Sequence, residues 1–144
     1  MHEQTPENPR ILIVDDDDIY SELVSRALRR VAPDINVIAA EDGQIGIDVL
    51  TGDVQGQCRK PLLILLDINM PRMNGFEFLE QLRSQPELRN NVVFMFNTSE
   101  AEDDRQRAYD FGVAGYIAKS RLGPKMGNMT ELLRSYASTV ILPH

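Results

Sequence analysis

With 144 residues, the chain has room for one compact domain and little more. Its hydrophobic fraction of 42% is ordinary for a globular protein with one sizeable core. A surplus of 22 acidic over 15 basic side chains gives a formal charge of −7, which repels phosphate backbones and anionic lipid and argues against nucleic acid and membranes as partners.

Residues 1–8 read as a polar tail without the apolar run of a signal peptide. Ile11-Leu12-Ile13-Val14 is continuous and β-branched, as a strand covered on both faces should be. Ile19, Leu23 and Ala27 then recur every four residues beside Val24, Leu28 and Val31. They predict one apolar helical face that Pro33 stops. Residues 35–40 read as a second strand, and Asp42 is placed to cap a helix carrying Ile45, Ile47, Val49 and Leu50. Residues 52–61 read as a surface loop holding Cys58. A lone thiol makes no internal disulfide and has no metal-site spacing, so a reducing cytoplasm is the expected compartment.

Residues 62–66 form the most apolar segment, expected at the sheet centre and too short to span a bilayer. A Pro-Arg-Met-Asn-Gly turn at 71–75 precedes a helix with Phe76, Phe78, Leu79 and Leu82. Residues 92–96 read as a fourth strand. Ala101, Ala108 and Phe111 are assigned to a fourth helix, ended by Gly112. Residues 116–118 are a short fifth strand and 129–137 the last helix, followed by an apolar tail over 139–144. This alternation is the pattern of a parallel α/β sheet. No internal repeat or interdomain linker interrupts it.

In an open α/β sheet, functional side chains gather at the carboxyl ends of the strands. Asp15-Asp16-Asp17-Asp18 follows the first strand, and Asp67 follows the third. Crowded carboxylates repel each other unless something neutralises them, and hard oxygen ligands favour Mg²⁺. Asp17 and Asp18 read as a solvated helix start, where acids favour the helix dipole. Asp15 and Asp16 abut a buried strand. Asp67 ends a wholly apolar one, where a carboxylate is costly without a partner. Asn97-Thr98-Ser99 ends the fourth strand and Lys119 the fifth. Taken singly, Thr98 or Ser99 is as well explained by a helix cap and Lys119 by an exposed loop. Jointly these strand ends form a specific constellation of acids, amide, hydroxyls and one ammonium.

Residues 11–16, the segment LILLDINMPRMNG at 63–75 and GYIAK at 115–119 closely resemble the response-regulator receiver domain, in order and spacing over roughly residues 9–138. The resemblance implies a flavodoxin-like (βα)5 three-layer sandwich with parallel sheet order 2-1-3-4-5. It implies Asp67 as phosphoacceptor, Asp15 and Asp16 as Mg²⁺ ligands together with Asp67 and the Asn69 backbone carbonyl, and Lys119 bridging Asp67 and the phosphoryl oxygens. Phosphoryl transfer needs in-line placement and charge neutralisation, which such a set supplies. The Thr-Ser-Glu segment, Ala108-Tyr109, Lys119-Ser120 and the terminal Leu-Pro further resemble small stand-alone regulators of bacterial phytochrome-type histidine kinases.

Two positions depart from the family pattern. Counting back from Lys119, its switch Ser/Thr position falls on Asn97, whose amide can still donate to a phosphoryl oxygen. Thr98 is the alternative through a one-residue slip. Ser120 stands where many receivers have proline, removing an expected cis peptide. Tyr116 matches the family's mobile aromatic switch residue, or is simply a half-buried sheet tyrosine.

The leading expectation is a single-domain phosphorelay switch, not an enzyme. It would be charged by a histidine kinase and signal by changed partner binding or transfer to a His-phosphotransfer protein. A homodimer through the C-terminal half is also expected, because Val140-Ile141-Leu142 adds a β-prone apolar tail to a finished core. The rivals are a pseudo-receiver without a phosphorylation cycle and an Mg²⁺-dependent hydrolase. The hydrolase is disfavoured by Asn69, where such enzymes place a second acid.

Overall fold

The structure is a computed structural model and describes residues 10–52, 62–98, 100–121, 126–140 and 142. Five strands, β1 (Arg10–Val14), β2 (Asn36–Ala40), β3 (Leu62–Leu66), β4 (Val92–Asn97) and β5 (Gly115–Ala118), alternate with five helices. These are α1 (Asp18–Val31), α2 (Gly43–Gly52), α3 (Gly75–Ser84), α4 (Glu102–Asp110) and α5 (Gly127–Thr139). All pairings are parallel, in the order β2-β1-β3-β4-β5, which is the flavodoxin-like order expected.

Strand side chains alternate between faces, and that period splits the core in two. Leu12, Val14, Ile64, Leu66, Val93 and Met95 pack with α2, α3 and Ala108 of α4. Ile11, Ile13, Leu63, Leu65, Phe94 and Phe96 pack with Val24 and Leu28 of α1 and with Met129, Leu133 and Ala137 of α5. The result is the three-layer sandwich, with β1 and β3 in its interior. No helix among the described residues is long and apolar enough to cross a membrane.

Helix starts follow local chemistry. Asp17 Oδ1 accepts from Ile19 N and Tyr20 N at 3.1 and 3.3 Å, Asp42 Oδ1 from Ile45 N at 2.9 Å, and Asn74 forms a reciprocal capping box with Glu77. Gly112 closes α4 at φ 78°.

The face expected on α1 needs correction. Exposure falls from 69% at Ile19 to 47% at Leu23 and 8% at Ala27, while Val24 and Leu28 are wholly buried. Four residues advance a helix about 40° beyond a full turn, so an every-fourth-residue row spirals off the buried stripe. The stripe instead follows Ser21, Val24, Ser25, Ala27 and Leu28. Ala101 and Phe111 flank α4 as its caps and do not lie within it. β4 extends through Asn97, one residue past its expected end. Gly52 closes α2, while the rest of the expected 52–61 loop, the 1–8 tail, Ser99 and Ile141 lie outside the described residues. In the C-terminal tail Val140 is 41% exposed, whereas Leu142 is buried.

At the amino ends of β4 and β5, the Arg83 guanidinium donates to four backbone carbonyls. These are Arg89 O at 2.6 Å, Asn91 O at 2.8 Å, Phe111 O at 2.8 Å and Gly112 O at 3.1 Å.

Candidate functional site

The site lies where β1, β3, β4 and β5 end. Asp15 extends the β1 ladder, its N–H donating to Ala40 O at 3.1 Å, and Asp67 does the same toward Val14 O at 2.9 Å. Neighbouring parallel strands thereby carry two buried carboxylates to one rim, and exposed Asp16 joins them. Oxygens of Asp15, Asp16 and Asp67 lie within 4.8 Å of one another. Lys119 reaches across from the end of β5, with Nζ 3.0 Å from Asp15 Oδ2 and 3.6 Å from Asp67 Oδ1. Its ammonium is tied more closely to Asp15 than to Asp67.

Burial pushes the Asp67 carboxyl up to about 7, reinforced by the Asp15 charge and opposed by Lys119. Burial raises Asp15 too, against the Asp17 N–H and the Lys119 ammonium that favour its ionised form. Three carboxylates against one ammonium leave two formal negative charges in a small space. All the donors are hard oxygens, so the set fits a divalent cation of the Mg²⁺ or Mn²⁺ kind.

Asn97 is 1% exposed, and its Oδ1 accepts from Asn69 Nδ2 at 3.4 Å. Among the described residues its Nδ2 has no hydrogen-bond partner. A buried amide donor left open beside anionic groups suits an incoming acceptor oxygen. Thr98, one residue past the end of β4, is exposed. Tyr116 is half-buried, packs on the α2–α4 side of the core and lines a small cavity with Glu100, Arg105 and Ala118. Ser120 is joined to its neighbour by a trans bond, and its hydroxyl donates to Glu100 Oε2 at 2.8 Å.

Three features at the site lie outside the expected set of functional side chains. Lys119 Nζ lies 4.4 Å from the Tyr20 ring centroid and 4.8 Å from that of Phe96. Arg72, at φ 66°, bonds Asp42 Oδ2 at 2.5 Å and ties the turn after β3 to the start of α2. Gly75 N–H donates to Ile68 O at 2.8 Å, and a Cβ there would run into the backbone oxygen of Asp67. Only the last had a local signal, the glycine of the 71–75 turn.

Against known proteins, residues 11–131 match the family model of the response regulator receiver domain. Response regulator Rcp1 of Synechocystis is 34% identical over 136 residues, 92% of either chain. The Mn²⁺-bound structure of Rcp1 superposes with a TM-score of 0.79 at 32% identity, covering 94% of this chain and 99% of that one. The phosphorylated cyanobacterial phytochrome response regulator RcpA gives 0.77 at 29% identity, covering 94% and 98%. A protein-glutamate methylesterase/protein-glutamine glutaminase of Desulfotalea psychrophila is 35% identical over 134 residues, 92% of this chain, which spans only 35% of that longer protein. Sheet order, strand-end carboxylates and these likenesses agree, and the chain belongs to the response regulator receiver domain family of two-component signalling.

Proposed function

We propose that the protein is a phosphorelay switch and not an enzyme, taking a phosphoryl group on Asp67 from a phosphohistidine of a cytoplasmic histidine kinase. The observation that carries this reading is the Asp67 carboxylate itself, buried at a strand end beside Lys119 and the Asp15–Asp16 pair. An Asp67 oxygen attacks phosphorus, the phosphorus–nitrogen bond breaks, and the imidazole leaves with its electron pair. Lys119 balances charge on the acceptor and the transferred oxygens, and Asn97 Nδ2 donates to one of those oxygens, ahead of Thr98. Tyr116, beside the β4–α4 loop, is the candidate for passing the change to the surface.

Asp15, Asp16, Asp67 and the Asn69 backbone carbonyl would hold Mg²⁺, which when bound supplies Lewis-acid neutralisation of the phosphoryl oxygens. The Mn²⁺ in Rcp1 and the phosphorylated state of RcpA support a metal-assisted phosphoacceptor here. The phytochrome association of RcpA supports a phytochrome-type kinase as the donor. Output then runs through changed partner binding, self-association as a homodimer, or onward transfer to a His-phosphotransfer protein.

The test is incubation with acetyl phosphate and Mg²⁺, read by intact mass. One phosphoryl group is expected on the native chain and none on Asp67→Asn. Full labelling of the Asp67→Asn protein, or none of the native chain, would discard the assignment. The latter result would favour the pseudo-receiver, for which Asn97 is the observation.

A further inference from the structure

Lys119 is 8% exposed, and its ammonium has different surroundings on its two sides. One side faces Asp15 Oδ2 at 3.0 Å and Asp67 Oδ1 at 3.6 Å, the second too long for a good hydrogen bond. The other side meets Tyr20 and Phe96, which pack edge to face with centroids 5.7 Å apart and an interplanar angle of 79°. Tyr20 comes from α1 and Phe96 from β4, so two separate elements converge on one charge.

A lysine on a four-carbon stem is a flexible point charge, and two unequal carboxylate contacts do not fix it. Aromatic faces attract an ammonium through their quadrupole, more strongly when water is excluded. They carry no formal charge, so they hold it without competing with an anionic group for its hydrogen bonds. An acid in their place would draw Lys119 off Asp67. An aliphatic side chain would fill the space but leave the ammonium unattracted on that side.

We propose that Tyr20 is a positioning residue for Lys119: with Phe96 it forms an aromatic cradle that keeps the ammonium over Asp67 as charge on the Asp15 side is compensated. This rests on Asp67 being the phosphoacceptor. Tyr20 itself touches no reacting atom and acts through the lysine.

The experiment compares the full chain with Tyr20→Phe and Tyr20→Leu, which separate the ring face from its volume. The ε-proton resonances of Lys119 should be shifted upfield by ring current in the native protein and in Tyr20→Phe. In Tyr20→Leu they should move back toward ordinary lysine values. Labelling by acetyl phosphate at saturating Mg²⁺ should be near native in Tyr20→Phe and about fivefold slower in Tyr20→Leu. Mg²⁺ affinity should change little in either. If Tyr20→Leu does not fold, Tyr20→Met takes its place with the same expectation. Native-rate labelling in the aliphatic variant, or equal loss in Tyr20→Phe, would overturn the cradle. If the native chain fails to label, the acceptor reading falls, and the Lys119 resonances alone decide whether the cradle exists.

Discussion

Between pH 3.8 and about 7 the folded chain holds a proton on Asp67 that the unfolded chain has released. The raised pKa of Asp15 acts in the same direction. The folded state therefore binds more protons across this window, and the metal-free protein loses stability as pH rises through it. A cation must displace those protons, so its stabilising effect grows over the same range. The melting-temperature gain from Mg²⁺ should be small at about pH 5.5 and larger at about pH 8. In Asp67→Asn the gain should be smaller and much less pH-dependent. An equal gain at both pH values in the native chain would mean that Asp67 ionises normally. The acid residues were legible because each abuts an apolar strand, where a charge is conspicuous. Tyr20 was not. Its contact with Lys119 joins residues 99 apart in the sequence, and no local period encodes such a pairing.

At the level of elements, the turn between β3 and α3 carries the tightest constraint in the molecule's acceptor rim. The first turn of α3 sits directly on the end of β3, and Gly75 is what allows it, because the nearest atoms to a side chain there are backbone. Backbone cannot rotate aside as a flexible side chain can. Gly75→Ala should therefore cost roughly 1–3 kcal/mol and displace the Asp67–Asn69 segment. Acceptor labelling should fall roughly tenfold or more, measured beside the thermal melt. A native labelling rate in Gly75→Ala would show that the rim tolerates the shift. Strands were easy to place from their unbroken apolar runs, but the facing of α1 was not. Reading Ile19, Leu23 and Ala27 as one row ignored the drift between four residues and 3.6. The Arg72–Asp42 tie was equally hidden, since it crosses between two loops 30 residues apart.

For the whole molecule, the parallel α/β class was readable from the alternation of apolar strands and amphipathic helices, whereas the strand order and the three layers followed from the resemblance to the receiver family. Association between copies leaves no such periodic trace. Leu132, Val140 and Tyr109 are 45%, 41% and 47% exposed on the α4–α5 half, where the proposed twofold partner would sit. Leu142 is already buried in its own chain, so less of the tail is free than its composition suggests. A dimer is nevertheless expected for the full chain by light scattering, and a monomer for a version ending at Ser138. A full-length monomer at tens of micromolar, phosphorylated or not, would leave Val140 as ordinary exposed surface.

Arg83 gives this architecture a fixed end. One guanidinium clamps the entry to β4 and the exit from α4 through four carbonyls, at the edge of the sheet opposite the acids. Charge-assisted bonds to several main-chain acceptors are among the stronger local ties available to a small domain. The two strands that lead to Asn97 and Lys119 are thus pinned at their roots, like tines set in one handle. A rearrangement at the tips can tilt the adjoining loops without sliding the strands in register. In Arg83→Met the pin is lost while the acids are untouched. The melting point should then fall by several degrees, amide exchange should quicken at residues 89–92 and 111–113, and phosphoryl uptake on Asp67 should persist. Unaltered exchange at those amides would show that the strands are seated by core packing alone.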